Sequence, residues 1–301
     1  MSSNYRSTLA YPALLDAYTD FILSRQSKGS RKTTLDFYFF TACKFLEWAE
    51  TVHNIEKPED ITARIVREYL AELVQKGRKD STVWDNARAI RTMLKFWHAS
   101  GYMQVDIKFD MPKIAKKRLP RLNAEQLEEV LKACSVRDKA LLMFMADSGV
   151  RREEAIKLNW EDVDMQTGYV LIKEGKGGKP RITAIGAKTR RALLAYRRTL
   201  PDRNGVLFKT DEGTRFTGSG MLAIFRRLRK RTGIHVTPHA MRRTFTILSL
   251  RADMDSLHLQ HLGGWESIDM VDHYAQMEDI DLLRAHKAHS PVDNLDRLKE
   301  G

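Results

Sequence analysis

Cysteine is nearly absent, with two in 301 residues, Cys43 and Cys134. They are isolated from each other and sit in apolar helical stretches, so they read as reduced core residues of a cytosolic protein, not as a disulfide or a metal site. Long apolar runs are missing too. No stretch approaches the ~20 residues that span a bilayer. The first residues, Met1 to Arg6, are polar and lead straight into a helix-like pattern, so no signal peptide is expected. Neither an internal repeat nor a low-complexity segment is visible. Acidic residues are the minority charge, 39 against 51 lysines and arginines, for a net +12. That excess favours a polyanionic partner and long-range steering toward it, with nucleic acid a better fit than a membrane surface.

What is present is enough apolar material, 43% of residues, for a chain of this length to fold as two domains with separate cores. The expected fold class is mainly α. It comprises an N-terminal four-helix domain over residues 1–104, a basic interdomain linker over 105–120, and a mixed α+β domain with a small antiparallel sheet over 121–301. In the first part, Leu14, Leu15, Tyr18, Phe21 and Ile22 mark one helix. Leu35, Tyr38, Phe39, Ala42, Phe45, Leu46 and Ala49 mark a second. Thr62 caps a third with Ile65, Tyr69, Leu70 and Leu73 on its apolar side, and Val83, Ala87, Ile90, Leu94 and Trp97 mark a fourth. Arg31, Lys32, Arg88 and Arg91 are candidates to line a phosphate backbone, although each alone reads equally as a solvated surface charge.

Between Val105 and Pro120 the periodicity lapses into a proline-punctuated basic strip containing Lys116 and Lys117, which could track a phosphate backbone or serve as a plain hydrophilic linker. Beyond it, Asn123 and Gln126 stand at capping-box spacing. Tyr169–Lys173 and Arg181–Ile185 are strand-like and flank a glycine-rich hairpin, Gly175-Lys176-Gly177-Gly178-Lys179-Pro180. Helices are expected over 188–199, 219–231, 238–251, 256–262 and 268–275, with a polar helix possible from Asp279.

Three segments carry chemistry. In Thr237-Pro238-His239-Ala240-Met241-Arg242-Arg243-Thr244, proline suits a first helical turn, and a spacing of three puts His239 and Arg242 on one face, where they could hold a phosphate at the helix N-terminus. In Ser148-Gly149-Val150-Arg151-Arg152-Glu153-Glu154, Arg151 can reach a phosphate while Glu154 orients it, or the pair can be a surface ion pair and nothing more. Leu262-Gly263-Gly264-Trp265 runs on to Tyr274, which by itself would read as a helix tyrosine beside Met270 and Val271.

Taken in order, these segments resemble those of the tyrosine recombinases, the phage-integrase and Xer-type enzymes of site-specific recombination, and the resemblance covers nearly the whole chain. The family's T-G-x-R-x-x-E segment resembles Ser148 through Glu154, and its G-K-G hairpin resembles Gly175-Lys176-Gly177. Its T-P-H-x-x-R-H-T segment is similar to Thr237 through Thr244, and its L-G-H/W…Y segment to Leu262 through Tyr274. The family's imidazole-or-indole position, nine residues before the nucleophile, falls on Trp265. Ser148 stands for the usual threonine, Arg243 for the second histidine, and Arg152 for a residue usually apolar; the glycine spacing favours Arg151 over Arg152 as the functional arginine.

The resemblance implies that Tyr274 attacks a scissile phosphate and forms a 3′-phosphotyrosyl link with release of a 5′-hydroxyl, which conserves the bond energy without ATP. It implies that Arg151 and Arg242 clamp the non-bridging oxygens. Lys176 protonates the leaving oxygen, His239 assists proton transfer at the nucleophile, Trp265 packs against the phosphate region, and Glu154 supports from behind. No cofactor and no metal is implied. The implied partners are double-stranded DNA with paired inverted sites and three further copies of the chain, a tetramer on DNA that resolves through a Holliday junction. The implied location is the cytoplasm, in association with the nucleoid. The Gly263-Gly264-Trp265 variant leans toward a mobile-element integrase. The alternatives are a catalytically silent DNA-binding protein of the same fold and a type IB-like topoisomerase. The tail from Asp279 to Leu298 is compatible with docking on a neighbouring protomer or on its own domain.

Overall fold

The computed structural model describes residues 8–114, 120–174 and 180–275, the last three of these by backbone alone, together with residues 281, 283, 286–288, 290 and 292. Lys116, Lys117, Lys176 and most of the tail from Asp279 lie outside the described residues. The chain divides into two compact units, residues 1–117 and 118–301, each with its own apolar core.

In the first unit the apolar periodicity becomes α1 (Pro12–Ser27), α2 (Lys32–Tyr38), α3 (Lys44–His53), α4 (Ala63–Gln75) and α5 (Asp80–Ala99). The second expected helix differs in one respect: α2 and α3 are joined through a π-helical segment, Phe39–Cys43. The wide turn coincides with a Thr41 hydroxyl that donates to the Phe37 carbonyl at 2.5 Å, a side-chain bond that competes with the regular backbone ladder. Leu14, Phe21, Phe45, Leu46, Ile90 and Trp97 are fully enclosed, each worth about 1.5–3 kcal/mol relative to exposure. Trp97 spans α5 to α1, its indole nitrogen donating to the Ala17 carbonyl at 2.9 Å. Thr62 caps α4 as expected, accepting from the Ile65 amide at 3.3 Å.

The basic candidates of this unit have unequal surroundings. Arg31 and Lys32 are exposed at the start of α2, with Lys32 paired to Asp36 at 3.3 Å. Arg88 is exposed and lies over the rings of Phe37 and Trp84, at 4.8 and 5.3 Å from their centroids. Arg91 is half-buried and turned inward, donating to the Phe109 carbonyl at 2.5 Å.

The second unit is built on α7 (Val136–Ser148), which packs against α6 (Ala124–Lys132), α9 (Ala187–Arg198) and α11 (Pro238–Arg251). Asn123 and Gln126 form the expected capping box at α6. After α8 (Arg152–Lys157) come β1 (Tyr169–Ile172) and β2 (Arg181–Ala184), antiparallel, with Tyr169 opposite Ala184 and Ile172 opposite Arg181. Each strand is one residue shorter than its pattern. α10 (Gly218–Thr232), α12 (Ser256–Gly263) and α13 (Ile268–Ala275) complete the unit. Asp147, on the last turn of α7, ties down the start of α9 by accepting from the Gly186 amide at 2.6 Å and the Thr189 hydroxyl at 2.7 Å.

Besides the main core, a satellite cluster of Phe245, Leu259, Trp265 and Val271 joins α11, α12 and α13. It fixes where α13 leaves the end of α12. Both cysteines are free, and Cys43 is the core residue expected, whereas Cys134 is not. Cys43 is buried in the π-helical segment, while Cys134 lies past the end of α6, half-buried, because the helix is already capped at Ala133. Among the described residues no helix is long and apolar enough to cross a membrane.

Candidate active site

The site forms around the C-terminal end of α12, and glycine makes that end possible. Gly264 caps the helix in the left-handed conformation, φ +64°, which an L side chain rarely adopts. The Trp265 amide then donates back to the Gln260 carbonyl at 3.1 Å. Gly263 is needed for a different reason. A Cβ there would stand 1.8 Å from Cζ3 of Trp265, so only a bare α-carbon lets the indole fold back against the final helical turn. The Leu262-Gly263-Gly264-Trp265 sequence is therefore a helix terminus whose last carbonyls face one way and whose indole covers them.

Three guanidinium groups converge on those carbonyls. Arg242, from α11, donates through Nη2 to the Gly263 carbonyl at 2.6 Å and through Nη1 to the Gly149 carbonyl. Arg151, the residue before α8, donates through Nη2 to the Gly264 carbonyl at 3.1 Å. Arg181, the first residue of β2, directs Nε at the Leu262 carbonyl at 3.4 Å. Cations at the negative end of a helix dipole are favourable on general grounds. Here they also bring three distant parts of the chain to one turn.

Each arginine has its own support. Gly149 ends α7 with φ +63°, and a Cβ on it would come within 2.3 Å of the Phe245 ring. Its compact left-handed turn presents the carbonyl that Arg242 uses. Arg242 is 1% exposed and lies 4.2 Å from the Trp265 ring centroid, and that indole stacks in turn on Phe245 at 17° between planes. A cation between carbonyls and an indole face is held by charge and quadrupole together.

Arg151 keeps 27% of its side chain exposed and pairs with Glu154 at 3.0 Å; its backbone amide donates to the other carboxylate oxygen at 2.7 Å. Glu154 is 5% exposed and also receives both terminal nitrogens of Arg181, each at 2.7 Å. Burial alone would raise the Glu154 pKa. The Arg181 fork, followed by the amide and charge of Arg151, overcomes that and holds it down at about 2.

His239 stands in the first turn of α11, one turn before Arg242, with Thr237 capping the helix by accepting from the Ala240 amide at 3.0 Å. The residue is exposed to solvent. Crowding by surrounding protein, and then the charges of Arg243, Arg242, Arg151 and Arg152, keep its pKa below the ordinary imidazole value. Arg152 pairs with Glu153 at 2.5 Å. Arg243 reaches the Pro120 carbonyl at 3.3 Å.

Of the expected site residues, Arg151, Glu154, His239, Arg242 and Trp265 thus lie around one turn, and the backbone of Tyr274 is in α13, which follows that turn. Lys176 lies outside the described residues, as does the side chain of Tyr274. Arg181 was read from the sequence only as the start of a strand. The one signal that could have singled it out is a charged residue opening an otherwise apolar strand next to the glycine-rich hairpin.

Comparison with known proteins gives the same picture of the chain. The model of the phage integrase family matches residues 119–280, more than half of the sequence. The tyrosine recombinase XerC of Thermodesulfovibrio yellowstonii is 26% identical over 288 residues, covering 89% of this chain and 94% of that protein. XerD of Listeria innocua is 26% identical over 298 residues, covering 92% and 98%. Among solved structures, a lambda integrase dimer bound to a COC′ core site shares the fold with a TM-score of 0.74 at 18% identity, covering 87% of this chain and 94% of that one. The match over residues 119–280, which takes in the whole arginine-lined turn and α13, places this chain in the phage integrase family, among the tyrosine recombinases.

Proposed function

We propose that this chain is a site-specific DNA recombinase that cuts and rejoins duplex DNA through a phosphotyrosyl intermediate. The observation that carries the reading is the meeting of Arg151 and Arg242, from separate parts of the unit, at the carbonyls of Gly264 and Gly263, directly before the helix that contains Tyr274. In this reading the Tyr274 phenolic oxygen forms a bond to the scissile phosphorus as the bond to the 5′-oxygen breaks. The phenolic proton leaves with help from His239, and Lys176 protonates the departing 5′-oxygen. Arg151 and Arg242 balance the charge that grows on the non-bridging oxygens. The reverse attack by a 5′-hydroxyl from a second duplex restores the phosphodiester and frees the tyrosine.

The arginines differ in readiness. Arg151 is partly exposed and can meet a phosphate as it stands. Arg242 is enclosed, so the groups that cover it must move when DNA enters. His239, whose pKa is lowered by burial and then by the arginines around it, suits a proton acceptor better than a proton donor. An unperturbed tyrosine titrates at about 10, so in this reading the phenol needs positive neighbours and a base to react near neutral pH.

The wider setting follows from the same reading. Four copies act on two duplexes carrying paired inverted sites, exchange one pair of strands at a time through a Holliday junction, and serve the integration or excision of a mobile element in the cytoplasm, in association with the nucleoid. Arg31, Lys32, Arg88, Lys116 and Lys117 contribute phosphate contacts, with Arg91 in a supporting part. The test is strand exchange between two labelled duplexes carrying the DNA that flanks the gene or a site selected by binding. Recombinant product that requires Tyr274 supports the reading; relaxation of supercoils without exchange turns it toward a topoisomerase.

A further inference from the structure

Arg181 reaches three parts of the site although it belongs to none of the motifs. Its fork closes on both oxygens of Glu154, its Nε faces the Leu262 carbonyl, and its Cδ lies where a Cβ on Gly264 would approach within 2.5 Å. It is the first residue of β2. Only 11% of its side chain is exposed, so its environment is one in which charge balance is poorly screened.

The balance is the informative part. Arg151 and Glu154 alone would sum to zero, and a carboxylate hard against Arg151 would repel an incoming phosphate. With Arg181 also bound, two cations share one anion and the cluster keeps a net positive charge. Because Arg181 is the more enclosed of the two, the charge left over lies on the Arg151 side, where solvent reaches. A planar fork can hold both carboxylate oxygens at once, which an ammonium group cannot.

We propose that Arg181 is a positioning residue for strand cleavage, neutralising Glu154 so that Arg151 is left as an uncompensated cation for the scissile phosphate, and bracing the Leu262–Gly264 turn that leads toward Tyr274. The proposal rests on the recombinase reading above. Arg181 need not touch the DNA. It acts through Glu154.

The experiment measures single-turnover formation of the covalent DNA adduct and, separately, DNA affinity, using the full chain and a nicked duplex built on the site that the Tyr274→Phe chain recovers from a random-sequence library. Arg181→Gln is expected to slow adduct formation roughly 10–100-fold, the range for losing a charged, buried hydrogen-bonding partner, with affinity changed less than about threefold. Removing the carboxylate as well, in Arg181→Gln with Glu154→Gln, restores the charge count and is expected to recover about tenfold of the loss. A purely structural brace would gain nothing from losing its second half. Should Arg181→Gln fail to fold, Arg181→Lys takes its place: it keeps the charge without the fork and is expected to slow the adduct less than about tenfold. Wild-type cleavage by Arg181→Gln, a double variant no faster than the single one, or an Arg181→Lys chain that folds but is as slow as Arg151→Ala would each overturn the proposal. If the wild-type chain itself forms no Tyr274-dependent adduct, the recombinase reading falls and takes the proposal with it; an adduct in the wild type with no rescue in the double variant removes the proposal alone.

Discussion

Gly263 and Trp265 are locked together: the space a Cβ on Gly263 would occupy is already filled by the indole, with Cζ3 at 1.8 Å and Cε3 at 2.2 Å. Gly263→Ala must therefore displace the indole from its place over Arg242 and Phe245. The expected cost is about 1–3 kcal/mol of stability, as for overpacking a filled site, together with a loss of cleavage larger than the loss of fold. Chemical denaturation of Gly263→Ala, Trp265→Ala and the double variant checks this. The two substitutions should be strongly non-additive, since Trp265→Ala removes the clash.

Gly149 offers a matched comparison with Gly205. Both have positive φ, +63° and +67°, but a Cβ on Gly149 meets the Phe245 ring at 2.3 Å while one on Gly205 meets nothing within 4 Å. Gly205→Ala should cost only the backbone strain, about 1 kcal/mol. Gly149→Ala should cost clearly more and also shift the carbonyl that Arg242 uses. Equal melting temperatures for the two variants would contradict this account of the turn.

Glu154 gives the stability a defined acid limb. Its pKa falls from the ordinary 4.5 to about 2 on folding, so its contribution is complete above about 4.5 and is lost as pH drops toward 2. A shift of this size corresponds to something on the order of 3 kcal/mol. The stability difference between wild type and Glu154→Gln, followed by denaturation between pH 6 and pH 2, is expected to change across that window and to be level above it.

The imidazole of His239 should titrate below an ordinary histidine, and Arg243→Ala should raise its pKa by removing the guanidinium that acts on it most strongly, while crowding persists. Nitrogen chemical shifts of the labelled ring against pH give the answer directly. A pKa at or above that of a histidine in an unfolded peptide would argue against a neutral proton acceptor.

Local features of this chain were legible from its sequence because they are encoded locally. The apolar spacing of Val83, Ala87, Ile90, Leu94 and Trp97 needs only one helix to be understood, and so do the Thr62 and Asn123 caps. Proline and spacing announced the start of α11 with His239 and Arg242 on one face. Motif order, through the family resemblance, points to Arg151, Glu154, His239, Arg242 and Trp265, and the fold brings these residues around one turn.

Arg181 was not legible in the same way. Its partners, Glu154 and Leu262, are 27 and 81 residues away in the chain, and no periodicity encodes a contact across that distance. The same holds for Arg91, which the sequence offers as a surface charge and the fold turns onto the Phe109 carbonyl. The wide turn at Phe39–Cys43 was hidden because π and α segments share nearly the same apolar spacing over a few residues. Two consecutive glycines precede Trp265 because the indole and the Arg181 side chain fill the positions of both missing Cβ atoms, an occupancy set by tertiary packing.

The central claim is that Tyr274 becomes covalently joined to DNA. It is tested most directly by trapping the full chain on a nicked duplex, digesting the complex with protease, and sequencing the nucleotide-bearing peptide by mass spectrometry. The account predicts a 3′-phosphoryl nucleotide on Tyr274 in the wild type and no adduct in Tyr274→Phe. An adduct on a different residue, or one that persists in Tyr274→Phe, would contradict it.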